Sequence, residues 1–139
     1  MRVARKRFAQ WGRKTKQKLR YATIYGGYLK QYMRAFPKSP TILLFNKKHI
    51  YGWAFALCHN NTVSLSLFVN RWYRSMGLGT RLVEEALKDF SMVALARWNN
   101  ETKSLFEKLQ RKYPEKVIVY DFFKHREKYD RLVRVVLSR

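Results

Sequence analysis

Residues 67–82 read Leu67-Phe68-Val69-Asn70-Arg71-Trp72-Tyr73-Arg74-Ser75-Met76-Gly77-Leu78-Gly79-Thr80-Arg81-Leu82. An apolar strand ends at Val69, and a basic, glycine-bearing turn follows. Leu82, Val83, Ala86 and Leu87 then recur at helical spacing. Strand, glycine turn and helix start together make a phosphate cradle. The first backbone N–H groups of a helix have no partner within it and carry partial positive charge, so they attract anions. Gly77 and Gly79 keep side-chain bulk away from an approaching pyrophosphate. Two better-known phosphate fingerprints do not fit. GxGxxG fails because Leu82 stands where its third glycine belongs, and no GxxxxGK[ST] occurs.

Working outward, the next signal is charge. The 139 residues carry a formal net charge of +21. Residues 1–83 hold 17 Lys/Arg and no Asp or Glu; the first acidic residue is Glu84. Residues 84–139 hold 13 Lys/Arg and all 9 acidic residues. The N-terminal part therefore presents a strong positive field. It predicts an acidic macromolecular partner, either an acidic protein or an RNA such as tRNA, or the phosphates of a nucleotide-like ligand.

Composition bounds the rest. An apolar fraction of 47% with 16% aromatics argues for a packed core rather than disorder. The length suits one domain over 1–139, with a basic N-terminal segment at about 1–20. No stretch approaches the roughly 20 apolar residues that span a bilayer, so no membrane partner is expected. The basic N-terminus is not followed by an apolar signal region, and a cytoplasmic location is expected. The single cysteine, Cys58, excludes an intrachain disulfide and argues against a cysteine zinc site; no metal is expected.

Coarse patterning gives strands at Thr41–Phe45, His49–Cys58, Thr62–Val69, Met92–Arg97, Val117–Phe122 and Leu132–Leu137, with Val3 and Phe8 in a short first strand. The first three of the six would form an antiparallel meander. Helices are predicted at about Arg13–Ala35, interrupted at Gly26-Gly27, from the glycine turn to about Phe90, and over Asn100–Lys112. Tyr21, Tyr25, Tyr28 and Tyr32 share one helix face, which reads first as core and second as a wall of an acceptor groove. A charged hairpin loop is expected at Lys124–Asp130. The order is β-α-α-β-β-β-α-β-α-β-β, an α/β (α+β) arrangement.

The stretch 67–82 resembles motif A of the GNAT (Gcn5-related) N-acetyltransferases, whose pattern is LxVxPxYRxxGxGxxL. Arg71 stands where the family commonly has Pro. The resemblance is strong at 67–82, fair at 92–122 and weak before residue 40. It implies a central, mostly antiparallel mixed sheet with helices on both faces and a splayed cleft that binds coenzyme A. It implies acetyl-CoA as co-substrate or ligand, with the main chain of Leu67, Phe68 and Val69 beside the pantetheine arm. The turn Arg74, Ser75, Met76, Gly77, Leu78, Gly79 and Thr80 would hold the pyrophosphate. The Val69 N–H would face the thioester carbonyl, where a fixed donor stabilises a developing oxyanion. Asn99 fits the family's coenzyme-contacting Asn after the fifth strand.

The resemblance also shows two departures. Phe106 occupies the place of the family Tyr that commonly protonates the departing thiolate, and a phenyl ring carries no proton to give. The usual carboxylate base on the central strands is missing, because Glu84 and Glu85 fall on the motif helix. His49 and His59 are alternative bases at a turn and a strand end, while Ser66, Ser104 and Tyr113 are weak candidates for a proton relay. Two functions follow. One is direct acetyl transfer to an amine, with the α-amine of a protein or of an aminoacyl-tRNA favoured. The other is a catalytically weak or inactive coenzyme-A-binding module that modulates an acidic protein or a CoA-using enzyme. A plain nucleic-acid-binding domain would explain the charge and leave the cradle without a purpose.

Overall fold

The computed structural model describes residues 1–13, 34, 36–47, 49–59, 62–97 and 100–121. The tyrosine stripe, Gly26-Gly27, the hairpin loop at 124–130 and the strand expected at 132–137 lie outside the described residues. The strands are β1 (Arg2–Arg7), β2 (Pro40–Phe45), β3 (Ile50–His59), β4 (Thr62–Val69), β5 (Val93–Arg97) and β6 (Val117–Asp121). The helices are α1 (Leu78–Asp89) and α2 (Asn100–Lys112). The six strands form one mixed sheet in the order β1–β2–β3–β4–β5–β6. β2 is antiparallel to β1 and β3, whereas β5 is parallel to β4 and β6. Strand and helix bounds fall within a residue or two of the sequence reading. Phe8 is the exception: it begins a 3-10 turn, Phe8–Gln10, in which the Gln10 side chain accepts the Arg7 N–H at 2.9 Å.

The residues group into two compact units. Unit 1 comprises Met1–Phe55 and Leu67–Leu82. Its β2 and β3 are buried on both faces, which is why Thr41–Leu44 and Gly52–Phe55 read as continuous apolar runs rather than alternating ones. One face carries a cluster of Phe8, Trp11, Trp53, Phe55 and Phe68. Trp53 stacks on Phe68 at 4.2 Å and meets Trp11 edge-on at 5.5 Å. The Trp11 Nε1–H donates to Thr41 Oγ1 at 2.8 Å, and the Thr41 hydroxyl donates to the Lys6 carbonyl, tying β1 to the cluster.

Unit 2 comprises Ala56–Ser66 and Val83–Arg139. Its core is Val93 and Leu95 on β5, Phe106 and Leu109 on α2, Val83 and Ala86 on α1, and Val117 on β6. Ion pairs hold its surface. Lys88 meets the buried Glu85 at 3.0 Å, Lys112 meets Glu84 at 3.4 Å, and Arg97 meets Asp121 at 3.4 Å. No helix among the described residues is long and apolar enough to cross a membrane.

Candidate functional site: an anion cradle after strand β4

The site is built where β4 ends in unit 1. Asn70, only 5% exposed, ties that end down. Its N–H donates to the Tyr51 carbonyl at 2.9 Å and its Nδ2 to the Ile50 carbonyl at 3.1 Å, both on β3. Its Oδ1 accepts the Trp72 N–H at 3.2 Å, which starts the 3-10 turn Arg71–Tyr73. One side chain therefore ends the strand, anchors it to its neighbour and fixes the direction of the turn. Beside it, Gly52 on β3 lets β4 come close. A Cβ there would lie 3.0 Å from the Phe68 carbonyl oxygen and 3.6 Å from the Val69 Cα.

The turn then runs through two left-handed residues, Ser75 at φ 67° and Gly77 at φ 73°. Gly77 takes this conformation without strain, whereas Ser75 adopts one that costs an L-residue roughly 1–2 kcal/mol. Such costs persist where the surroundings over-determine the backbone, often at functional sites. A Cβ on Gly77 would meet no atom within 4 Å, so the space over the turn is open. The first internal bond of α1 is Arg81 N–H to Gly77 carbonyl, at 3.0 Å. The N–H groups of Leu78, Gly79 and Thr80 precede it and have no partner within the helix. No acidic residue stands in the first turn of α1, and the flanking Arg74 and Arg81 are exposed. Left-handed turn residues, helix-start N–H groups, open space and nearby cations are the features from which anion sites are built. A diphosphate fits that chemistry.

The other expected residues divide. Leu67, Phe68 and Val69 are half-buried on β4, with the Phe68 ring packed against Trp53. Met76 and Ser75 are exposed, while Leu78 and Gly79 are buried at the start of α1. Thr80 is half-buried. Asn99 lies outside the described residues. Ser66 is half-buried on β4 and Ser104 is exposed on α2. Tyr113 follows α2, with the Lys112 ammonium 5.4 Å from its ring centroid. Glu84 and Glu85 sit in ion pairs on α1 and are not placed as bases. His49 is exposed in the β2–β3 turn, its ring 5.8 Å from Tyr73, and the side chain of His59 is not described.

Phe106 is 5% exposed in the core of unit 2. Among the described residues of that unit, the phenol that the sequence did not single out is Tyr120. Its hydroxyl lies 3.4 Å from Ser64 Oγ, across a β5 face that carries only Ala94 and Ala96. Burial pushes its pKa up, opposed by the Ser64 hydrogen bond. Nothing in the linear sequence links Ser64 to Tyr120. Asn70 and Gly52 did leave signals: an Asx residue at a strand end favours a turn, and a glycine inside a strand marks a close backbone approach.

Comparisons with known proteins bear on the family and the fold. No curated protein matches the chain. Among solved structures, the ribosomal-protein-S18-alanine N-acetyltransferase from Escherichia coli aligns with a TM-score of 0.59 at 13% identity, covering 78% of this chain and 76% of that one. An IAA acetyltransferase from Bacillus cereus aligns with a TM-score of 0.53 at 17% identity, covering 80% and 75%. At such identities the likeness is one of fold. The acetyltransferase (GNAT) family profile matches residues 9–110, which is more than half of the chain and includes β4, the turn and both helices. A family match over more than half of the chain places it: the chain belongs to the acetyltransferase (GNAT) family.

Proposed function

We propose that this protein is an acetyl-CoA-dependent N-acetyltransferase whose acceptor is an α-amine. The observation that carries the reading is the open turn at Ser75–Gly77 leading into an acid-free helix start. The N–H groups of Leu78, Gly79 and Thr80, with Arg74 and Arg81, would bind the pyrophosphate. The main chain of Leu67–Val69 would align the pantetheine arm, and the Val69 N–H would donate to the carbonyl under attack. A preorganised donor of that kind is typically worth ~10²–10³ in rate. Bound acetyl-CoA supplies an activated acyl group on a good leaving thiolate.

The choice of amine follows from what unit 1 lacks. It holds no carboxylate side chain to remove a proton. A lysine amine, with a pKa near ~10.4, needs such a base at neutral pH. An α-amine, near ~7.7–8.0, is already partly neutral. The surrounding positive charge lowers an amine's pKa further, because it disfavours a second cation. The favoured acceptors are a protein N-terminus or an aminoacyl-tRNA.

The second reading, a coenzyme-A-binding module without catalysis, is favoured by Phe106, which is buried and offers no acid at the family's tyrosine position. One pair of measurements separates the two. Calorimetry with coenzyme A on the parent and on Gly77→Glu tests the cradle: binding is expected in the parent and lost in the variant. Acetyl transfer to an α-amine peptide and to a lysine peptide tests the chemistry. Coenzyme binding without transfer to either peptide or to aminoacyl-tRNA would leave the module. Equal affinity in Gly77→Glu would remove the cradle assignment, and robust lysine acetylation would overturn the argument about the missing base.

A further inference from the structure

Trp72 is 71% exposed, whereas Trp11 and Trp53 are buried. It is not a loosely held side chain on a floppy loop. Its N–H is fixed to the buried Asn70 Oδ1 at 3.2 Å, within a 3-10 turn whose carbonyl Asn70 also accepts the Tyr73 N–H at 2.9 Å. Tyr73 packs inward, its ring 4.6 Å from Tyr51 and 5.8 Å from His49. Trp72 is the neighbour left outward. Met76, four residues on, is 61% exposed on the same turn. A tryptophan that is 71% exposed on a turn with an anchored backbone needs a reason.

The charge around it supplies one. All 17 Lys/Arg of residues 1–83 fall in unit 1, and unit 1 contains no Asp or Glu; all 9 acidic residues fall in unit 2. Every Lys and Arg of the acid-free segment thus lies in one structural unit. Arg71 precedes Trp72 in sequence, Arg74 follows it, and Lys47 lies in the β2–β3 turn beside His49; Arg74 and Lys47 are exposed. A phosphate backbone is attracted by such a surface, but charge alone would serve an acidic protein equally well. The indole decides between them. Proteins that hold single strands combine a basic track for the backbone with aromatic platforms on which bases stack, whereas a run of acidic side chains offers no ring to stack.

We propose that unit 1 binds a single-stranded stretch of nucleic acid, with phosphates on the acid-free surface and an unpaired base stacked on Trp72. The cradle's diphosphate contacts are the N–H groups of Leu78, Gly79 and Thr80 with Arg74 and Arg81, and the Trp72 indole is not among them. The proposal does not depend on whether acetyl transfer occurs.

The test uses the full chain and a fluorescent short oligoadenylate, titrated by anisotropy at several salt concentrations. The same titration is made with an abasic oligomer of equal length, which keeps the phosphates and removes the rings. Trp72→Ala is expected to weaken oligoadenylate binding roughly 5- to 150-fold, the range for one lost base stack. It should leave abasic binding unchanged and keep the salt slope, near ~−0.7 per phosphate, because no charge is removed. Trp72→Phe should restore most of the affinity, and it reports on stacking if the alanine variant unfolds. Calorimetry with coenzyme A should give the same affinity in parent and Trp72→Ala.

Several results would overturn the proposal: no oligoadenylate binding by the parent at low salt, equal loss on the abasic oligomer, or polyglutamate binding as tightly as oligoadenylate. A comparable loss of coenzyme A affinity in Trp72→Ala would assign the indole to the coenzyme's own adenine, and would equally sink it.

Discussion

Gly52→Ala tests whether the close approach of β3 to β4 sets the height of the cradle. The added Cβ would lie 3.0 Å from the Phe68 carbonyl oxygen and 3.4 Å from Leu82 Cδ1. The leucine tip can rotate away. The carbonyl belongs to the backbone of β4, so the strand itself must shift by a few tenths of an ångström. Overpacking of this kind costs roughly 1–3 kcal/mol. Replacing glycine also stiffens the unfolded chain, which returns about 0.4–1 kcal/mol. The net expectation is a loss of about 0–2.6 kcal/mol in urea unfolding. Gly12→Ala is the control, since a Cβ there meets nothing within 4 Å and Gly12 does not share the positive φ of Gly77. It should be neutral or slightly stabilising. The functional effect should exceed the stability effect, because Val69 follows Phe68 directly and carries the proposed oxyanion donor. Losing such a donor altogether costs ~10²–10³ in rate. Displacing it should cost about tenfold in kcat, with coenzyme A affinity also reduced. Parent-like stability and kcat in Gly52→Ala would refute the reasoning, for they would mean that β4 tolerates the shift without consequence to the site.

Other perturbations probe separate parts of the molecule. Asn70→Ala removes the partners of the Ile50 carbonyl and the Trp72 N–H inside a buried setting; it should cost roughly 2–4 kcal/mol by chemical denaturation and raise KM for acetyl-CoA more than it lowers kcat. Tyr120 has its pKa raised above 10.0, first by burial. The protonated phenol therefore favours the folded state, so the contribution is complete below the unfolded pKa and is lost as pH rises through the folded one; stability followed upward from pH ~9 should fall less steeply in Tyr120→Phe. Phe106→Tyr places a hydroxyl in a buried position, at a cost of ~1–3 kcal/mol if it finds no partner. If that hydroxyl reaches the leaving thiolate, acetyl transfer should rise by up to ~10²; no change in transfer alongside a stability loss would mean that it does not.

How much of this was legible in the sequence depends on the range of the signal. Strand and helix bounds were legible because they rest on local periods and local breakers: Asn46 and Lys47 at one turn, Ser75 and Gly77 at another. β5 was legible as a buried strand because parallel strands covered on both faces read as unbroken apolar runs, and Val93–Ala96 is one. Phe8 was misread because its apolar side chain continues the β1 pattern, while the 3-10 turn that holds it depends on the Arg7–Gln10 bond and on the N–H of Phe8 reaching Ser39. The cradle was legible as a motif, but not its mechanics. That Ser75 as well as Gly77 is left-handed, that Asn70 joins β4 to β3, and that Gly52 makes room for Phe68 are statements about neighbours across strands. The same holds for Ser64 and Tyr120, which meet across β5 although 56 positions apart in sequence.

The charge asymmetry acquires its meaning only when sequence and fold are put together. Along the chain, the acid-free run stops at Val83, in the middle of α1, which makes no sense as a boundary between elements. In the fold, unit 1 takes Leu67–Leu82 with the N-terminal strands, and unit 2 takes Ala56–Ser66 together with everything after Leu82. The stretch 56–66 carries no charged residue at all, so assigning it to unit 2 disturbs neither charge count. The helix is therefore divided by function. Its first turn, with Arg81, belongs to the acid-free unit 1. Its later turns carry Glu84, Glu85 and Lys88 and form ion pairs in the unit that holds all 9 acidic residues. A carboxylate placed in the first turn of α1 would oppose both the helix dipole's pull on an anion and the field that disfavours a protonated amine. The absence of acids from unit 1 and the missing general base are thus one physical fact seen from two sides. A surface that gathers phosphates, as proposed for unit 1, cannot readily hold a carboxylate base, and it would suit an acceptor amine that is already close to neutral.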